Sequence, residues 1–243
     1  MQVENTHPRC FLGLLSCLFL AGLYVGSLYV WRSSSPRDHP SVIKRRCASV
    51  LLVSAVSPAV VKTWMHWADV KVDVSVWELM GLRMDGLVAA SILPLLLTIV
   101  FYLGPLVHSA MDNPKGFTGE MQCALAHFHH VIEERRLGKE SMSVILLVAG
   151  MQFLYTTVFG AFTAFIFIRT GHVVGPVLCH SFCNSQGLPD ISSALQHPQS
   201  SALLFLYLLG GLLFLVLLFP LTDQYFYGPI PICSLAPLPA SVC

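Results

Sequence analysis

The chain has 243 residues, of which 55% are hydrophobic and 11% charged, and its formal net charge is +1. A soluble domain carries about 25% charged residues, so this balance, with a mean hydropathy of +0.68, points to a multi-pass membrane protein. The small net charge gives no argument for nucleic acid as a partner, and no extended basic tract is available to track phosphates.

The eight cysteines lie mostly in or beside apolar runs, with no C-x-x-C among them. They read as small apolar membrane residues, since their spacing does not form a secreted disulfide framework. The C-terminal Ala-Ser-Val-Cys243 is not a prenylation box, because its cysteine comes last.

The first apolar run, Cys10 to Trp31, holds no charge and is long enough to span a bilayer as a signal anchor. The loop after it sets Arg32, Arg37, Lys44, Arg45 and Arg46 against the single Asp38. That excess places the loop in the cytosol. A second run, Cys47 to Val61, spans only if it extends past Lys62, whose amine would snorkel to the interface. Trp64, Trp67 and Trp77 then mix with charges as an interfacial belt. The third run, Leu87 to Val107, contains Pro94, which predicts a kink there.

His108 to Glu140 is mostly polar. Met111 to Gly116 reads as a turn-rich loop leading into a cluster of His127, His129 and His130. Ser143 to Ile168 is the fourth apolar run, and His172 to Asn184 a short fifth one interrupted by polar groups. Ala202 to Leu221 is the last clear span, with Gly210-Gly211 as a close-packing spot. The Pro-rich tail from Thr222 reads as irregular. The fold expected is an all-α polytopic helix bundle of about five or six spans, one membrane domain over residues 1–243.

Two polar constellations carry chemistry. His180 and Asn184 are four apart and share a helical face. Polar groups at membrane depth are expensive and usually face a bundle interior. The pair could hold a water or stabilise an oxyanion, or simply glue two helices together. His127 and His130 are three apart, with Glu133 three beyond. They could ligate a metal, act as a general base, or lie solvated at the interface. No H-E-x-x-H, no G-x-S-x-G and no phosphate-cradling loop occurs. Cys179, His180 and Cys183 make a poor soft-metal set, since thiolates in an apolar run are costly. Glu133 to Arg136 reads as a solvated charge run.

Several blocks together resemble the eukaryotic CAAX prenyl endopeptidases of the Ras-converting type. They are Arg37-Asp-His-Pro40 with Ile43-Lys-Arg-Arg46, Ala126-His-Phe-His-His130, Phe159 to Phe165, Ile168-Arg-Thr-Gly-His172, Gly175 to Asn184 and Pro220-Leu-Thr-Asp223. The likeness covers most of residues 15 to 235. It implies a multi-helix intramembrane peptidase of the endoplasmic reticulum with its site toward the cytosol. The substrates implied are prenylated CAAX proteins such as Ras-like GTPases, from which the last three residues are removed. It implies His127, His180 and Asn184 as catalytic residues. A glutamate and the first histidine would activate water, and His180 with Asn184 would stabilise the oxyanion. No cofactor is expected, and an older metal-ligand view of the same groups is not favoured.

The chain departs from that pattern at one place. The Glu-Glu-x-x-x-Arg motif should precede His127, and none lies between Leu106 and Cys123. Cys123 stands at the phenylalanine position of the second motif, and Glu133-Glu134 have Gly138 where an arginine would stand. The reading is an internal deletion between about residues 106 and 123, with activity reduced or absent in this form. Two alternatives remain. One is a non-catalytic membrane protein that binds prenylated tails or partner subunits. The other is a metal-dependent membrane peptidase or metal transporter using His127, His130 and Glu133.

Overall fold

A computed structural model describes residues 6–31, 39–68, 75–112 and 142–229 of the chain. These described residues form helices and no strand, as expected for backbone that must satisfy its own hydrogen bonds in hydrocarbon. They cluster into two compact units, Met1–Met80 and Gly81–Cys243.

The first unit pairs α1 (Thr6–Ser27) with α2 (Pro40–Trp67) and adds the short α3 (Val76–Leu79). α2 begins where His39 accepts from the Ser41 N–H and Pro40 occupies the first turn, where its missing N–H leaves no gap. It runs through Lys62 to Trp67, so the second apolar run does extend as its spanning requires.

The second unit is built on α4 (Leu87–Phe101), which packs against both α7 (Val174–Gln186) and α9 (Ser200–Leu221). Its buried stripe is Ala90, Pro94, Leu97 and Thr98, the spacing of one helical face. α5 (Leu103–Asp112) packs on α9, α6 (Met142–Thr170) on α7, and α8 (Ile191–Gln196) on α9. Close approach comes from glycine. A Cβ on Gly210 would sit 2.7 Å from the Val100 carbonyl oxygen, whereas one on Gly211 meets nothing within 4 Å. Only Gly210 of the expected pair is a packing spot.

The break in the third apolar run does not fall at Pro94, the proline expected to kink it. The third apolar run bends by 64° between Phe101 and Leu103 instead. Pro94 lies inside continuous α4, where its carbonyl accepts from Thr98 Oγ1 at 2.9 Å. Pro105 is the cause at the bend. It cannot donate to the Phe101 carbonyl and so belongs to the first turn of a new helix.

By length and composition, Pro40–Trp67, Phe153–Thr170 and Ser200–Leu221 can cross a membrane, and the bent pair Leu87–Phe101 with Leu103–Asp112 makes a fourth. The protein is a polytopic helical membrane protein, with fewer such spans among the described residues than the five or six expected. The fifth apolar run accounts for part of the difference. Its helix α7 has 13 residues, about 20 Å of rise against a hydrocarbon core of about 30 Å.

Candidate active site

α7 carries the two described residues expected at the site, and its two faces differ in role. Gly175, Cys179 and Cys183 are buried, at i, i+4 and i+8. A Cβ on Gly175 would stand 2.9 Å from the Ala90 carbonyl oxygen and 3.2 Å from Pro94 Cγ. Glycine is therefore what lets α7 lie directly on α4. His180 and Asn184 stand together on the other, exposed face, as their spacing requires.

The start of α7 is fixed by a knot outside the spans. The Val173 N–H donates to the Gly81 carbonyl at 3.1 Å. His172, fully buried, bonds through Nε2 to the Asp85 carbonyl at 2.7 Å. Since a carbonyl only accepts, Nε2 carries the proton and the ring is held in that tautomer. Burial pushes the His172 imidazole below its usual range, and nearby Arg83 adds to this. Arg83 in turn donates to the carbonyls of Tyr227 and Pro229, at 3.1 and 2.6 Å. The far end of α7 is fixed by Tyr102. Its buried hydroxyl donates to the Gly187 carbonyl at 3.0 Å and lies 3.3 Å from the Tyr155 hydroxyl.

One wall of the site comes from α6. The Phe159 ring lies 5.5 Å from the His180 ring at 39°, and Tyr155 stacks one turn before it at 6.3 Å. Beside His180 is an open depression of about 280 Å³ lined by Thr163, Pro176, Val177 and Ser181. His180 on this open-sided groove, with Asn184 one turn along the same helical face, can present donors to a carbonyl that enters from the bilayer.

His127 lies outside the described residues, as do His129, His130 and Glu133 of the metal reading, so the site is described from its His180 and Asn184 side. Among the described residues no group of three or more His, Cys, Asp or Glu is arranged for a metal. The nearest approach is at the end of α5, where Asp112 lies 3.2 Å from His108 Nε2 and 3.6 Å from His197 Nε2. There His197 Nδ1 accepts from the Gln199 N–H, so its Nε2 carries the proton and faces the carboxylate as a donor.

Sequence reasoning gave no role to Tyr102, Tyr155 or Phe159. A tyrosine inside an apolar run is the available signal, because its hydroxyl must find a partner.

The family model described as type II CAAX prenyl endopeptidase Rce1-like matches residues 120–186. The chain is 43% identical to the CAAX prenyl protease 2 of Homo sapiens over 282 aligned positions, covering 93% of this chain and 86% of that one. It is 37% identical to the CAAX prenyl protease 2 of Rattus norvegicus over 93% of this chain and 85% of the relative. Against the CAAX prenyl protease 2 of Caenorhabditis elegans it is 27% identical, over 80% and 90%. Because 93% of 243 residues is about 226, about 56 of the 282 aligned positions have no counterpart in this chain. No solved structure matches the chain.

Proposed function

This chain belongs to the CAAX prenyl protease 2 family, and from that premise we propose that it is an intramembrane endopeptidase for prenylated CAAX proteins whose turnover is lowered by an internal deletion. The observation that carries the reading is the 43% identity across 93% of the chain. The shared exposed face of His180 and Asn184, beside an open groove, supports it.

The reaction is hydrolysis of the peptide bond before the last three residues. The prenyl chain enters laterally from the bilayer, favoured by about 0.8 kcal/mol per buried CH₂. The scissile carbonyl lies over α7, where the His180 imidazole and Asn184 carboxamide donate to the developing oxyanion. Water, activated from the His127 side, supplies the nucleophile and the leaving amine takes its proton. Substrates of the Ras-like class, the endoplasmic reticulum and a site toward the cytosol belong to this reading, as does a mechanism without a cofactor.

Positions absent relative to the relatives, placed between about residues 106 and 123, would contain the Glu-Glu-x-x-x-Arg motif. General-base help is worth about 10² to 10⁴-fold, so turnover falls by that order. The same absence favours a second reading, in which the chain binds prenylated tails without cleaving them.

Hydrolysis of a farnesylated CAAX peptide by the full chain in bilayers decides between the two. The expected result is slow release of the tripeptide, abolished by His180→Ala and unchanged by a chelator. Tail binding with no release supports the second reading. Release that survives His180→Ala, or that a chelator stops, contradicts the assigned mechanism.

A further inference from the structure

The first unit holds a cluster that the peptidase reading does not use, at the junction of α1 and α2. Trp31 lies just beyond α1, and its indole N–H donates to Ser49 Oγ at 2.7 Å. Ser49 is buried, so the indole is held in place although 48% of its surface is exposed. Arg45 is one turn before Ser49 on α2, and its guanidinium lies 6.0 Å from the Trp31 ring centroid. A cation at that distance is held by the ring face. Lys44 and Arg46 flank it.

Among the described residues of the first unit's two long helices, these cations have no acidic neighbour. Residues 6–31 and 39–68 contain no Asp or Glu, and among the described residues no carboxylate forms an ion pair with Lys44, Arg45 or Arg46. Their depth is set by the sequence. The run before Trp31 is uncharged from Cys10, and the run after Arg46 is uncharged to Val61. The cluster thus lies where two apolar stretches end on one side of the bilayer, the level of phospholipid headgroups.

We propose that Trp31, Lys44, Arg45 and Arg46 form a binding site for the headgroup of an anionic phospholipid. A guanidinium with one face on an indole keeps its edge N–H groups free, and their fork matches two phosphate oxygens. Lys44 and Arg46 add charge without fixing geometry. A free phosphate would satisfy the same donors. Lipid is favoured because Tyr29, Val30 and Ile43, exposed by 76%, 70% and 48%, offer apolar surface beside the cations, which acyl chains would cover. The inference is independent of the peptidase reading, since it needs no turnover.

The test reconstitutes the full chain in phosphatidylcholine vesicles and measures, by electron paramagnetic resonance, its association with nitroxide-labelled phosphatidylserine. One basic residue near the surface is worth about fivefold in association. The expected result is preference for the serine lipid over the labelled choline lipid, lowered about fivefold by Arg45→Gln. Trp31→Leu, which changes no charge, lowers it as well. Lys62→Gln, toward the other end of α2, leaves it unchanged, and excess inorganic phosphate does not release the label. The proposal is overturned if Arg45→Gln has no effect, or if Lys62→Gln matches it, which would mean diffuse surface charge. Trp31→Leu without effect, or release by inorganic phosphate, overturns it too.

Discussion

His172 shows how one buried imidazole can join the candidate site to pH. Its ring bonds the Asp85 carbonyl and sits one residue before the Val173 N–H that fixes the start of α7. Burial holds its pKa below the ordinary 6.5, so the unfolded chain takes the proton first as pH falls. The contribution of the neutral ring is complete above pH 6.5 and is lost as pH drops from there toward the folded value. Melting of the detergent-solubilised protein should therefore weaken between neutral and mildly acidic pH, and His172→Gln should flatten that dependence. An unchanged slope in the variant would assign the titration elsewhere. Asn184 gives a second residue-scale outcome. On the proposed mechanism, truncation to alanine removes one oxyanion donor, an effect of about 10² to 10³-fold on the chemical step. Tripeptide release should fall by that order with KM nearly constant, and an equal rise in KM would make Asn184 a binding residue only.

The glycines of the helix contacts make the element scale testable. Gly175→Ala places a methyl 2.9 Å from the Ala90 carbonyl oxygen and must push α7 off α4. Overpacking of this kind costs about 1–3 kcal/mol, read as a lower melting temperature. Gly211→Ala meets nothing within 4 Å and should be neutral or stabilising by up to about 1 kcal/mol. Equal effects at the two positions would mean that α4 and α7 are not in contact as described. Tyr102→Phe should cost about 1 kcal/mol through loss of the bond to the Gly187 carbonyl. Much at this scale was legible in the sequence. Long uncharged runs predicted α2, α6 and α9, because apolar length is a strong signal. The i, i+4 spacing placed His180 and Asn184 on one face of α7. The bend at Phe101–Leu103 was not legible, because Pro94 and Pro105 are both candidates and only packing around Pro94 tells which helix continues. The support from Tyr102, Tyr155 and Phe159 was equally hidden, since it joins residues far apart in the chain.

For the whole molecule, composition alone indicated a helical membrane protein, and the motif blocks indicated the family to which the chain belongs. The second motif near His127 was read from sequence only, as it lies outside the described residues. About 56 aligned positions of the human relative have no counterpart here. If they include the general base, then on the proposed mechanism His180 and Asn184 persist in a chain that lacks an efficient nucleophile. The direct measurement is turnover of a farnesylated CAAX peptide by two proteins in the same bilayer, this chain and one with the relative's missing segment inserted between residues 106 and 123. The account expects the inserted form to be faster by about 10² to 10⁴-fold, and both forms to fall to background with His180→Ala. Equal turnover in the two forms, or turnover indifferent to His180, would contradict it.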